Sequence, residues 1–341
     1  MKALEPVAES AARPVSANGG DAQDGSPDRM APGQSRRWPR HVVAIGGGKG
    51  GSGKTLVAVS LGIELAQRGN TVVLVDCDLG GPNVHSLLGM EYPRATLSDF
   101  VLRHVARLEE VVVPTPVAGL GLVSGARNAL GIANPLHQQK LRLMRALGCL
   151  DADVVLLDLG AGTHNTEVDF FVLAHFGVLV VVPEPTSVEN AYRFLKAAFL
   201  RRVAALKTPA GIRELLRDVM RTRGHAPLSP AELVAVAAQG NPALGEALER
   251  SLASFHPLLL VNQVREVEDR ALSDGMVAAT RRLFGVDLIG LGSLGYSDQV
   301  WRAVRAHQPV FFEHLGKAFT TEVSLVAERL LERVAMVERQ Q

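Results

Sequence analysis

From residue 41 the chain alternates short, continuous apolar runs with longer stretches whose apolar residues recur at helical spacing. The runs fall at 41–45, 71–75, 120–123, 153–157, 178–182, 258–261 and 286–291. Continuous Val and Leu, rather than strict alternation, mark strands buried on both faces of a parallel sheet. In 55–67 Leu56, Val59, Ile63 and Leu65 lie at helical spacing, and Gly69 ends the stretch. Strand–helix repetition predicts an α/β fold, doubly wound around a mainly parallel sheet, without internal repeats.

Three segments depart from this rhythm. Residues 1–40 hold five prolines and almost no large apolar residue before Trp38, which predicts a disordered leader. The remaining 41–341 read as one domain. Within it, 207–256 carries apolar residues such as Leu216, Leu233, Leu244 and Leu248, broken at Pro227, Pro230 and Pro242. That pattern predicts two or three helices inserted before the strand at 258. In 317–341, Phe319, Val323, Val326, Leu330, Val334 and Val337 form one stripe of an amphipathic helix.

Composition narrows the class. The chain has 341 residues, two cysteines, and 36 Lys+Arg against 35 Asp+Glu. Two cysteines exclude a disulfide scaffold and a cysteine-only zinc site. No apolar run of about 18 uncharged residues exists, so no membrane-spanning helix is expected. A formal charge of +1 argues against a strongly basic nucleic-acid coat. The expectation is a cytoplasmic protein. Charge is uneven locally: 193–223 holds nine Lys/Arg and only Glu214 and Asp218.

The sharpest chemistry follows the first strand. Gly48-Lys49-Gly50-Gly51-Ser52-Gly53-Lys54-Thr55 satisfies G-x-x-x-x-G-K-[ST] between a strand and a helix. Glycines let backbone N–H groups turn toward a polyphosphate, and the helix N-terminus adds positive potential. The motif assigns Gly50, Gly51, Ser52, Gly53, Lys54 and Thr55 to ATP, with Lys54 on the β/γ-phosphates and the Thr55 hydroxyl on Mg²⁺. Val154-Val155-Leu156-Leu157-Asp158 is an apolar strand ending in a carboxylate, the Walker B context, where Asp158 engages Mg²⁺ or its water shell. Asp76 and Asp78 leave the second strand where ligands of such sheets bind, and their like parity lets them face one site.

Lys49 is a second lysine that an ordinary loop of this kind does not need. Lys49-Gly50-Gly51-Ser52-Gly53-Lys54-Thr55 resembles the deviant Walker A signature of the MinD/ParA ATPases. Asp76-Cys77-Asp78-Leu79-Gly80-Gly81-Pro82-Asn83 resembles their switch I, D-x-D-x-G-x-x-N. With Val84-His85-Ser86-Leu87-Leu88-Gly89 it is most similar to the MinD/FlhG (FleN) branch, cell-positioning ATPases that govern the position or number of a cellular structure. The N-terminal D-Q-A-x-x-L-R motif common in FlhG proteins is absent. The resemblance implies a homodimer formed with ATP and slow hydrolysis raised by an activating protein partner. It implies that Lys49 crosses to the partner's nucleotide, Asp78 positions the attacking water, and Asp76 holds Mg²⁺ through water. It places Asn83 near the nucleotide region of the dimer and Pro183-Glu184-Pro185-Thr186-Ser187 against the partner subunit. Asn262 falls where relatives read adenine, with a helix cap as its alternative. Tyr296-Ser297-Asp298 falls in the loop around the base, although Leu294 or Gly295 replaces the usual proline.

Other readings compete. ParA-like binding of non-specific DNA for cargo partitioning would use the basic 193–223 stretch, which is otherwise a solvated face. A peripheral membrane contact, at the membrane or a cell pole, would use the 317–341 helix. That helix carries four basic residues and four glutamates, whereas membrane-surface helices favour a basic polar face, so packing against the body or a partner is expected. An iron–sulfur carrier ATPase would need a paired C-x-x-C, but Cys77 and Cys149 stand alone.

Overall fold

The computed structural model describes residues 41–78, 81–125, 137–163, 165–206, 229–306, 308–310 and 315–339. The expected leader at 1–40 and the first part of the expected insertion, 207–228, lie outside them. Among the described residues the strands are β1 (His41–Gly46), β2 (Val72–Cys77), β3 (Val113–Pro114), β4 (Leu120–Val123), β5 (Val154–Leu159), β6 (Phe176–Val181), β7 (Leu258–Val264) and β8 (Ile289–Gly295). The helices are α1 (Lys54–Gln67), α2 (Val84–Leu87), α3 (Leu97–Val101), α4 (His137–Leu147), α5 (Asn165–Leu173), α6 (Pro185–Ala204), α7 (Pro230–Gly240), α8 (Pro242–Ala253), α9 (Ala271–Phe284), α10 (Asp298–Arg305) and α11 (Lys317–Glu338).

The strands form one eight-stranded sheet in the order β3-β4-β2-β5-β1-β6-β7-β8. Each pairing is parallel except β3–β4, an antiparallel edge. This is the doubly wound α/β fold that strand–helix repetition predicts. Alternate residues of β1 enter different cores. Val42 and Ala44 face Phe170, Phe194 and Phe199, on the side of α5 and α6. Val43 and Ile45 face Val57, Leu61 and Val326, on the side of α1 and α11. Both sheet faces are covered, which is why the strands read as unbroken apolar runs.

Two boundaries differ from the sequence reading. The run at 286–291 leads into β8, which pairs over Ile289–Gly295. Gly290 and Gly292 conceal this strand from a propensity argument, and they pair with Leu259 and Leu260 of β7. The two-residue β3 was too short to read.

In the described part of 207–256, α7 and α8 start at Pro230 and Pro242, each preceded by a residue whose side chain caps the helix: Ser229 and Asn241. Leu233, Leu244 and Leu248 join the core beneath α6, so these helices extend that layer. The stripe of α11 is buried at Phe319, Val323, Val326, Leu330 and Val334 and packs on α1 and β8. The apolar face considered for a membrane therefore belongs to the core, apart from Val337, which is exposed.

Candidate functional site

The phosphate loop runs from the end of β1 to the start of α1. Gly51 and Gly53 have φ of 78° and 85°, a region open to glycine and costly for other residues. Gly53 is doubly constrained, because a Cβ there would lie 2.3 Å from Asn262 Nδ2. Lys54 opens α1, is buried, and donates from Nζ to the Lys49 carbonyl at 3.2 Å. Burial lowers its pKa, against the raising effect of Asp158, Asp78 and Glu167. A buried ammonium among carboxylates at a helix N-terminus is well placed for a polyphosphate.

β2 and β5 lie side by side with Asp76 and Asp158 in register. Both carboxylates are buried. Asp76 accepts from the Asp78 and Val84 N–H groups at 3.1 and 3.2 Å. Burial raises its pKa to about 7, although those N–H groups oppose the shift. Burial and then Asp76 push Asp158 well above the carboxylate range, against the Thr55 hydroxyl and Lys54. Asp158 Oδ1 has no hydrogen-bond partner. Two adjacent buried carboxylates with an orphaned oxygen, beside the Thr55 hydroxyl, fit a hard divalent cation. No group of three or more His, Cys, Asp or Glu among the described residues forms a metal site by itself. That is compatible with Mg²⁺, which takes few protein ligands alongside phosphate and water.

Asp78 accepts from the Gly81 N–H at 3.1 Å. It lies beside Gly160: a Cβ there would be 3.5 Å from Asp78 Oδ1 and 3.2 Å from Glu167 Oε1. Glu167, near the start of α5, is a member of this cluster that sequence reading missed, because it stands in no motif. Asn83 is exposed before α2, with its amide donating to the Gly81 carbonyl at 2.6 Å.

Lys49 lies at the mouth of the loop. Its Nζ pairs with Glu184 and donates to Thr186 Oγ1 at 3.3 Å. The lysine and the P-E-x-x-S turn, both expected at a subunit contact, thus meet within one chain. Asn262 is no helix cap. It lies in β7, buried, and donates from Nδ2 to the Ser52 carbonyl at 2.8 Å. Together with Gly53, Leu56, Tyr296, Trp301 and Phe319 it lines a cavity of about 200 Å³ beside the loop. Tyr296 stacks under the Arg265 guanidinium, 3.8 Å from its ring centroid.

Of the basic stretch at 193–223, only 193–206 lies within the described residues. Arg201 forms an ion pair with Asp169. Arg202 donates to the Ser254 hydroxyl at 2.7 Å and lies over Phe255. Arg193 pairs with Glu189. In the described part of the stretch these arginines serve intramolecular contacts, so Arg201 and Arg202 are unsuitable reporters of a DNA surface.

Fold and site together define a P-loop NTPase. Residues 39–205 match the ParA family model, described as a NUBPL iron-transfer P-loop NTPase. The antiactivator FleN of Pseudomonas aeruginosa is 38% identical over 160 residues, covering 46% of this chain and 56% of FleN. An iron-sulfur cluster carrier protein of Aquifex aeolicus is 30% identical over 159 residues, covering 45% of this chain and 41% of the relative. The matched stretch thus spans about half the length of these relatives. In fold, the chain resembles the septum site-determining protein MinD of Pyrococcus horikoshii, solved with Mg-ADP. The TM-score is 0.59 at 18% identity, covering 87% of this chain and 98% of that one. Over residues 39–205 the chain is thus similar to the P-loop NTPase domains of the ParA family.

Proposed function

We propose that the chain is an ATP-dependent dimerising switch that hydrolyses ATP slowly and governs the position or number of a cellular structure. One observation carries this reading: a phosphate loop, Lys54, Thr55, Asp76, Asp78 and Asp158 converge at one end of the sheet, with a second lysine at the mouth. Similarity to FleN supports the positioning role. Backbone amides of 50–55 and Lys54 bind the phosphates, and the cavity beside Asn262 receives the base. Thr55, with Asp76 and Asp158 through water, would hold Mg²⁺, which supplies charge neutralisation at the phosphates. Asp78 orients the attacking water.

In the dimer, Lys49 leaves Glu184 and reaches the partner's nucleotide, where its charge opposes the negative charge that develops during transfer. Lys49 is partly exposed and its pair with Glu184 lies at the surface. Pairs of this kind contribute only about 0–1 kcal/mol, so release costs little. Among the described residues of the cluster no further activating side chain is evident, which accords with slow turnover until a protein partner engages. The switch acts in the cytoplasm, and a peripheral contact with a membrane or cell pole would have to use a surface other than the buried stripe of α11.

The iron-carrier reading suggested by the family model's description is disfavoured. The chain has only Cys77 and Cys149, and burial pushes the Cys77 thiol up, away from the thiolate a cluster needs. The test is the light-scattering mass of Asp78→Ala with Mg-ATP and with ADP. A dimer with ATP and a monomer with ADP is expected. The same mass in both states would overturn the switch.

A further inference from the structure

Two amide side chains at the end of β7 touch successive peptide groups of the phosphate loop. Asn262 Nδ2 donates to the Ser52 carbonyl at 2.8 Å, and Gln263 Nε2 donates to the Gly51 carbonyl at 3.1 Å. Both residues lie where the β7–β8 register shifts between Val261 and Val264. Such bulges re-aim side chains and are enriched near active sites. Gln263 has φ of 59°, and it shares positive φ with only one other non-glycine among the described residues, Arg103. A long unbranched side chain gains nothing locally from this conformation, which persists only where the surroundings enforce it.

The loop needs support there. Gly51 is exposed, and a Cβ on it would meet nothing within 4 Å. In a trans peptide the carbonyl and the next N–H point in opposite directions. Carbonyls of Gly51 and Ser52 held toward β7 therefore turn the N–H groups of Ser52 and Gly53 away from it. Those are two of the amides that a polyphosphate loop presents to its ligand.

We propose that Gln263 is a positioning residue for nucleotide binding: the bulge aims its amide to clasp the Gly51 carbonyl, so that the loop amides are oriented before the phosphates arrive. This rests on the reading that the loop binds ATP. A pre-set loop loses less entropy on binding, so the clasp appears in affinity. The strain it needs lies in the backbone of Gln263, so glycine at that position removes strain and clasp together.

The experiment measures Kd for a fluorescent ATP analogue with Mg²⁺, and the nucleotide-free Tm, for the wild type, Gln263→Gly and Gln263→Glu. The expected result is binding by both variants weaker by about three- to tenfold, the size of one lost hydrogen bond. The Tm of Gln263→Gly should equal or exceed that of the wild type, which a merely structural residue would not give. The carboxylate of Gln263→Glu cannot donate to Gly51, but its protonated form can. Its deficit should therefore shrink as pH falls from about 7.5 toward 5, while the Gln263→Gly deficit stays constant. No binding by the wild type would overturn the ATP reading and the clasp with it. Wild-type binding with both variants within twofold, or a Gln263→Gly Tm that falls along with affinity, would overturn the clasp alone.

Discussion

Two buried acidic centres belong to this fold, one among helices and one on the sheet, and they are built on opposite plans. Asp169, on α5, is held by Lys140 of α4 and Arg201 of α6, with Lys140 Nζ at 2.9 Å and Arg201 Nη2 at 3.0 Å. Burial alone would raise its pKa, but Arg201 and Lys140 outweigh burial and hold it below the usual range. Asp76 and Asp158 face each other without a matching cation pair, and both are pushed up. The first centre is complete and ties three helices together. The second carries a charge deficit that a bound ligand would relieve. Within one fold, the unsatisfied centre is the one the proposed function uses, and the satisfied one holds helices together.

The contrast can be broken by substitution. Asp169→Ala leaves Lys140 buried without its acceptor and should cost about 3–5 kcal/mol in urea denaturation. A loss under about 1 kcal/mol would show that the network is ornamental to stability. Asp158→Asn should act in the opposite sense. Without nucleotide, stability should hold or rise, because a like-charge neighbour is removed, while Mg²⁺-dependent ATP hydrolysis should fall by roughly 100-fold or more. Equal destabilisation by the two substitutions would erase the distinction.

The pH dependences should also diverge. Asp76 titrates near 7 in the folded state, so between about 4 and 7 the folded chain holds a proton that the unfolded chain has lost. Metal-free stability should therefore decline as pH rises through that window, by about 1.4 kcal/mol per unit at most, and Asp76→Asn should flatten the slope. Asp169 is depressed, so its contribution is full above the unfolded carboxylate pKa and is lost as pH falls through the lower folded value. A metal-free Tm that rises steadily from pH 5 to 8, about the range above carboxylate titration, would contradict the Asp76 assignment. The smallest effect concerns the surface pair. Glu184→Gln should change monomer stability by about 0.5 kcal/mol or less in denaturant titration. A much larger loss would mean that Lys49 is a structural anchor rather than a releasable group.

The α/β class and most strands were legible because a sheet buried on both faces leaves unbroken Val/Leu runs. Lys54, Thr55, Asp76, Asp78 and Asp158 were legible because their chemistry fixes spacing along the chain. Glu167 and Gln263 were not. Each reaches the site through tertiary packing: Glu167 from the start of α5, and Gln263 across 212 residues to Gly51. The only local hint for Gln263 was its place beside Asn262 at a strand end. The pairing of Lys49 with Glu184 was hidden for the same reason, although both residues stood in recognised motifs. Charge counting at 193–223 could not show that Arg201 and Arg202 are engaged within the chain, and 207–223 lies outside the described residues.

The grip between α1 and α11 also governs the order in which the molecule is completed. Arg68, just beyond α1, donates to the Ser324 carbonyl at 2.9 Å, and the Ser324 hydroxyl donates to Glu64 at 2.9 Å, across 256 and 260 residues. During synthesis the phosphate loop emerges from the ribosome early, but the helix that carries it stays uncovered on one face until α11 has been translated. A nascent chain halted before α11 would therefore expose the apolar side of α1 to chaperones, with its nucleotide loop already made but its scaffold still open.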